Sequence, residues 1–309
     1  MIVKGEAPAQ PIAVELIAVL VAVADGQPLA MTIDEGRALP SGPFEVEHRS
    51  LQSGLRTWIE RQTRHPLGYL EQLYTFADSD RFKGTEGAHE ISISYLGLVR
   101  EEGAIAPQAA WRAWYEYFPW EDYRGGPPPL IKNTIGRELR RWADSGNDKA
   151  TRRKRAAIAF GLEGRKWNEE LVLQRYELLY EAELIPEARR TNRERPDLPL
   201  GRSMSGDHRR ILATGIARVR AKIKYNPVVF ELMPPVFTLL QLQRCVEAIA
   251  GLNLHKPNFR RLIEQQQLVE ETGETVSDTG GRPAKAYRFR AAVREERAAA
   301  GTKLPLTRP

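Results

Sequence analysis

Apolar residues fall along this chain in a two-residue rhythm, in a helical rhythm, and in short unbroken runs. The run Ile12–Ala24, rich in Val, Ile and Leu, predicts a strand that ends at the turn cluster Asp25-Gly26-Gln27-Pro28. Leu29–Ile33 is its expected partner across that turn. Leu51, Leu55, Trp58 and Ile59 stand at i, i+4, i+7 and i+8, the spacing of one helix face, so 51–63 is predicted as a helix. Gly68–Phe76 and Glu90–Val99 read as strands. In the second, Ile91, Ile93 and Tyr95 alternate with Ser92 and Ser94, which predicts one buried face. Strands on either side of a helix, in the order β, β, α, β, β, indicate a mixed α/β layered domain.

Residues 111–129 carry aromatics and then the breaker Arg124-Gly125-Gly126-Pro127-Pro128-Pro129. Helices are expected at Asn133–Ala143, before the breaker Ser145-Gly146-Asn147-Asp148, and at Trp167–Ala182. The charged, Pro- and Gly-punctuated segment Thr191–Gly206 reads as the domain linker. A different pattern follows. Ile211, Leu212, Ile216, Val219 and Ile223 line one side of a helix. Thr238 and Gln241 are spaced as a capping box, in which the Thr hydroxyl accepts from the N3 amide and the Gln side chain reaches back. That helix is expected to end at Gly251, a left-handed stop. Pro257 suits the first turn of a third helix, with Phe259, Leu262 and Ile263 as its apolar stripe. Leu268–Glu271 and Ala286–Phe289 complete a β-hairpin. Helix, helix, turn, helix and hairpin make a winged helix-turn-helix.

The chain has 309 residues, 42% hydrophobic and 28% charged, a composition that fits about two globular domains. Its single cysteine, Cys245, excludes an intrachain disulfide and reads as a small buried apolar residue. The 13-residue run Ile12–Ala24 contains Glu15 and is too short to span a bilayer. No cleavage site follows it, so no signal peptide and no membrane partner are expected, and the cytoplasm is the expected location.

Charge changes the picture more. Residues 201–309 hold 19 Lys/Arg against 10 Asp/Glu, a net +9, whereas the first 200 hold 27 against 30, a net −3. A basic C-terminal third on a mildly acidic body points to a polyanion-binding module. The third C-terminal helix offers Lys256, Asn258, Arg260 and Arg261 opposite its apolar stripe. Long donors of this kind can enter a major groove, Arg reading guanine and Asn adenine. Gln241, at the start of the preceding helix, joins them as a candidate DNA contact. Arg282 and Lys285 in the wing are placed to touch phosphate or the minor groove. A second basic run, Arg152-Arg153-Lys154-Arg155, reads better as a solvated face than as a DNA contact.

No phosphate-binding loop of the G-x-x-x-x-G-K-[ST] type, no H-E-x-x-H and no G-x-S-x-G elbow occurs, and no catalytic or metal-ligating set is expected. Aligning a Nudix box, G-x5-E-x7-R-E-U-x-E-E-x-G-U with U apolar, on Gly42 gives a degraded match. Arg56, Trp58 and Glu60 fit, but His48, Thr57 and Arg61 replace three glutamates, and Thr63 and Arg64 replace the final pair. The glutamates of that box hold the divalent cations that activate water. With one carboxylate of four left and Arg61 opposing a cation, catalysis is not expected.

Both halves together resemble the Nudix-related transcriptional regulators of NAD metabolism, the NrtR family, and most of all its longer, NadQ-type branch. The resemblance rests on Tyr69-Leu70-Glu71-Gln72-Leu73-Tyr74-Thr75-Phe76 with Ile91–Val99. It rests also on Phe237–Gln243, Asn258-Phe259-Arg260-Arg261, Gly281-Arg282-Pro283-Ala284 and Tyr287-Arg288-Phe289. It implies an α+β chain: a Nudix-like α/β/α sandwich over residues 1–200, with a helical extension around 115–190, then a winged helix-turn-helix over 201–295 and a flexible tail, 296–309. It further implies a homodimeric repressor that binds a palindromic double-stranded operator near NAD biosynthesis or salvage genes. No cofactor is required. The implied effector is an adenine nucleotide such as NAD, ADP-ribose or ATP, or the related nicotinamide mononucleotide, in the Nudix-like pocket, with Arg56, Glu60 and Arg81 as candidate contacts. The runner-up is an active Nudix hydrolase of ADP-ribose or a related dinucleotide with an accessory DNA-binding domain. An RNA-binding regulator has less support, because the basic module lacks stacked aromatics.

Overall fold

The computed structural model describes residues 12–77, 89–188, 198–224, 227–276 and 283–290. Its first half is built on β1 (Ile12–Ala24), which turns through Asp25 and Gly26, both at positive φ, into β2 (Gln27–Thr32). Two successive left-handed residues give the tight turn whose twist matches that of the strands it joins. β3 (Ser41–Pro43), β4 (Tyr69–Phe76), β5 (His89–Leu98) and β6 (Ala110–Ala113) complete the sheet, in the order β4-β5-β1-β2-β6 with β3 also on β1. β1 runs parallel to β5, and the remaining pairs are antiparallel.

The apolar run of β1 is explained by burial on both faces. Leu16, Ala18 and Leu20 pack under α1 (Leu51–Thr63) with Leu55 and Ile59. Ile17, Val19 and Val21 face a larger core on the other side. The expected helix 51–63 thus forms at the bounds the spacing gave, capped by Ser50, whose hydroxyl accepts from the Ser53 amide at 3.1 Å. That larger core is closed by an aromatic segment with Trp114, Tyr117, Phe118 and Trp120 fully buried, and by four helices: α2 (Gly136–Ser145), α3 (Lys149–Phe160), α4 (Val172–Glu181) and α5 (His208–Lys222).

Four details depart from the periodicity. The expected helix Asn133–Ala143 opens instead with a π-helical turn, Ile131–Ile135, and then continues as α2. Trp167–Ala182 shortens to α4, because Trp167 leaves the helix to stack on Tyr123, ring centroids 4.0 Å apart. The basic run Arg152–Arg155, read only as a charge cluster, lies on a helix, α3. Within the expected linker, residues 189–197 lie outside the described residues, but 198–206 are held to the body. Leu200 and Met204 are buried, and the amides of Arg202 and Ser205 donate to the carbonyls of Glu116 and Arg37 at 2.8 and 2.7 Å.

Helix α5 was expected with the C-terminal module, yet it covers the sheet. Gly215 allows that approach, since a Cβ there would lie 2.7 Å from Val19 Cγ1. Beyond it come α6 (Leu239–Ala250), α7 (Lys256–Gln265), β7 (Val269–Val276) and β8 (Ala284–Phe289). The capping box of α6 is present: the Gln241 amide donates to Thr238 Oγ1 at 3.2 Å, and the Thr238 amide donates to Gln241 Oε1 at 2.7 Å. Gly251 ends that helix at φ 69, and Pro257 sits in the first turn of α7. Phe237 pairs with Tyr287 through two backbone bonds, which ties the hairpin to the start of α6. Phe289 packs between Phe230 and Phe237. No helix among the described residues is long and apolar enough to cross a membrane. The expected tail, 296–309, lies outside the described residues.

Candidate nucleic-acid interface and effector half

Helix α7 is anchored by two side chains one turn apart, Phe259 and Ile263, which are 9% and 7% exposed. Leu262, expected in that stripe, is 50% exposed instead. At about 100° per residue, Leu262 falls on the flank while Phe259 and Ile263 share one face. Taking the midpoint of those two anchors as the inner face, Arg261 lies about 180° away and Arg260 about 80° away. Lys256, Asn258, Arg260 and Arg261 are all exposed, and none of these three cations is paired with a carboxylate among the described residues. The helix therefore presents unpaired donors on its exposed side. Gln241 is half-buried, and its side-chain oxygen is committed to the α6 cap. Lys285 is exposed on β8 with its Nζ 2.8 Å from Glu271 Oε1. Such an exposed pair is easily exchanged for a phosphate. Arg282 lies outside the described residues.

The basic run on α3 behaves differently. Arg153 pairs with Asp144 at 2.5 Å and Arg155 with Glu181 at 2.5 Å, while the Arg152 guanidinium lies 4.4 Å from the Trp142 ring centroid. Three of its four cations are thereby engaged with neighbours in the fold.

On the opposite face of the sheet, α1 carries Arg56, Thr57, Glu60 and Arg61. Glu60 is its one carboxylate, and it is exposed. Arg56 is half-buried and makes two long bonds, 3.4 Å each, to the carbonyls of Leu67 and Gly68. Arg61 lies 5.4 Å from the Trp58 ring centroid. Trp58 covers Gly42, where any Cβ would collide with the indole, and it donates to the Pro43 carbonyl at 2.9 Å. His48 Nδ1 accepts from the Glu45 amide at 3.0 Å. Arg56 and Glu60 thus share a helix, but Arg81 lies outside the described residues. The divalent cation that a Nudix fold implies does not fit these side chains: no group of three or more His, Cys, Asp or Glu among the described residues could hold a metal ion.

A feature that sequence reasoning missed joins the two halves. Glu121, Arg175 and Arg220 have no exposed side-chain surface. The carboxylate of Glu121 accepts from Arg175 at 2.5 and 2.8 Å and from Arg220 at 2.5 Å. Arg220 Nε then donates to the carbonyl of Ile249, at the end of α6, at 2.9 Å. Around it, the Tyr115 hydroxyl donates to the Ala248 carbonyl at 2.7 Å, the Tyr123 amide to the Gly251 carbonyl at 2.7 Å, and Asn253 Nδ2 to the Arg124 carbonyl at 2.6 Å. Burying three charges is tolerated only because every donor finds an acceptor nearby. No local signal marks it in the sequence: Glu121 is followed by Asp122, Arg175 stands beside Gln174, and Arg220 lies between Arg218 and Lys222.

Comparisons with known proteins converge on one architecture. Residues 229–289 match the family model of the NrtR DNA-binding winged helix domain. Over 83 residues, 27% of this chain, the sequence is 43% identical to the ADPR responsive transcriptional repressor NtrR of Acinetobacter baylyi. The match spans 33% of that repressor's length. The crystal structure of Shewanella oneidensis NrtR complexed with a 27mer DNA superimposes with a TM-score of 0.54 at 17% identity, over 91% of this chain and 95% of that one. A MutT/nudix family protein from Enterococcus faecalis gives a TM-score of 0.53 at 14% identity, over 93% of this chain and 90% of that one. Over residues 229–289 this chain thus carries a winged helix of the NrtR DNA-binding type, and its fold as a whole is similar to that of NrtR and of a MutT/nudix family protein.

Proposed function

We propose that this protein is a transcriptional repressor that reads operator DNA through α7 and the wing and is controlled by an adenine nucleotide, ADP-ribose first, held without hydrolysis in the Nudix-like body. The carrying observation is the exposed, unpaired cationic edge of α7 within the stretch matched by the NrtR DNA-binding winged helix model. The 43% identity to a repressor described as ADPR responsive supports both the sign and the effector. The body fits a sensor better than a catalyst. His48, Thr57 and Arg61 stand where a Nudix box needs glutamates, and arginines such as Arg56 and Arg81 can neutralise a diphosphate without a metal. NAD and ATP share the adenosine and phosphates and are further candidates. The regulated genes would be those of NAD biosynthesis or salvage, and a repressor of this kind works in the cytoplasm.

One winged helix buries little DNA surface, so tight operator binding calls for a homodimer on a palindrome. In functional terms, the reading module would be residues 227–290, with α5 counted with the body whose sheet it covers. The test is selection of duplexes from a random pool, followed by anisotropy with and without ADP-ribose, NAD or ATP. Enrichment of a palindrome whose affinity shifts with ADP-ribose supports the reading. No enrichment, or magnesium-dependent release of AMP from ADP-ribose that Glu60→Gln abolishes, overturns it.

A further inference from the structure

The helical extension has its own chemistry, which the reading above does not use. Residues 127–167 hold 11 Lys/Arg against 4 Asp/Glu, a surplus of seven in a chain whose whole surplus is six. Within this segment lies a cavity of about 670 Å³, a size suited to a small organic ligand. Its walls are largely apolar, with Tyr123, Pro128, Ile131, Leu139, Phe160 and Trp167 among the lining. Lys132, Arg140, Arg153 and Arg165 also line it, opposed by the single acid Glu163. Lys132 and Arg165 are exposed and have no carboxylate partner among the described residues. The Trp167 Nε1–H is buried and finds no acceptor. The π-helical turn Ile131–Ile135 contributes Ile131, Lys132 and Asn133 to the lining, and such local departures from α-helix recur at binding sites.

We propose that this cavity is a second small-molecule site that takes an organic anion with a planar, apolar body. Tyr123, Phe160 and Trp167 give the cavity aromatic walls against which a ring packs. Lys132 and Arg165 supply the positive charge for a carboxylate or phosphate at the rim. The site is distinct from the α1 half. α1 packs on the face of the sheet formed by Leu16, Ala18 and Leu20, whereas Ile131, Leu139 and Phe160 belong to the core on the other face. The Arg175 guanidinium lies 3.8 Å from the Trp167 ring centroid, so the cavity wall rests directly on the buried hub that holds α6.

Calorimetric titration of the full chain tests this, with naphthalene-2-carboxylate as probe and naphthalene-2-carboxamide and inorganic phosphate as controls. The carboxylate should bind one site per chain, at least tenfold tighter than either control. The Lys132→Ala/Arg165→Ala variant should lose at least tenfold of that affinity and keep any response to ADP-ribose. Ala157→Trp, which fills the cavity, should abolish binding; if it does not fold, the exposed double variant decides. Absence of heat from the carboxylate, equal affinity for the carboxamide, or unchanged binding by the double variant would overturn the proposal. Competition by ADP-ribose for the same site would equally overturn it, because the cavity would then be the effector pocket and not a second one.

Discussion

Replacing Glu121 by glutamine tests the buried hub most directly. The variant keeps the size of the side chain but puts an amide N–H₂ where one carboxylate oxygen accepted from Arg175 or Arg220. Two guanidinium groups with no exposed surface then share one neutral oxygen. Breaking a buried ion pair by removing one partner costs about 3–5 kcal/mol, and here one carboxylate serves two cations, so the upper half of that range is expected. For a chain of this size such a loss lowers the melting temperature by on the order of 10 °C. Arg220→Met is costly on its own, because it abandons the carbonyls of Ile249, Glu169 and Glu121. The double variant, however, should be no less stable than Glu121→Gln alone, since removing Arg220 also removes an unpaired buried cation. Urea midpoints for the parent, both single variants and the double give the coupling energy. A Glu121→Gln loss below about 1 kcal/mol, or strict additivity in the double variant, would refute the account of the hub as a shared-carboxylate unit.

Arg261, which points away from the anchors of α7, should read a base, so Arg261→Ala should cost about 1–3 kcal/mol per half-site and relax sequence preference. Arg260→Ala should weaken operator and scrambled duplex alike and flatten the salt dependence, as losing a phosphate contact does; equal loss of preference in both variants, measured by anisotropy at two salt concentrations, would contradict this division. Gly251→Ala should destabilise the chain and weaken operator binding, since residue 251 sits at φ 69 and a Cβ would collide with the Glu121 carbonyl; wild-type melting and operator binding in that variant would count against a tight seam. His208 is buried, its Nδ1 accepts from the Leu39 amide at 3.0 Å, and burial, opposed by Asp207, pushes its pKa down to about 4. The folded state thus disfavours the proton. Stability should be complete above about pH 6.5 and fall by about 2 kcal/mol between pH 7 and pH 5. Urea midpoints at the two pH values should show that fall in the parent and not in His208→Asn.

The periodic elements were legible because their chemistry is local. Ile12–Ala24, Leu51–Thr63, the Thr238–Gln241 cap, the Gly251 stop and Pro257 each declare a strand, a helix or an end within a few residues, and the structure places all of them as the pattern predicts. What was hidden depends on partners far away in sequence. Trp167 shortens its helix because Tyr123, 44 residues earlier, offers a stacking face. Arg152–Arg155 looked like a free cationic run because Asp144, Glu181 and Trp142 are not marked as its neighbours in the sequence. Helix α5 has the same amphipathic pattern whichever module it covers, and its seat shows in Gly215 against Val19, in the Arg218 bond to the Leu73 carbonyl and in the Lys222–Glu71 pair. For the candidate DNA contacts, the sequence listed the donors of α7, and the orientation of the helix ranks them. Leu262 shows the limit of a stripe drawn by eye, since the anchor needs only Phe259 and Ile263.

The bonds from Tyr115, Tyr123, Arg124 and Arg220 to the end of α6 also bear on how an operator must be spaced. A reading module on a loose tether tolerates slack between half-sites, because the tether absorbs an extra base pair. Here the reader is clamped to its body, so the separation and rotational phase of two such readers would be set by the geometry of the assembled bodies. Inserting one base pair moves a half-site by about 3.4 Å and rotates it by about 35° around the duplex. A clamped pair cannot follow both changes without breaking the seam or twisting the DNA. Operators read by a pair of such modules, as proposed, should therefore obey a fixed spacing, with affinity falling at the first inserted or deleted base pair and part of it returning only after a full helical turn.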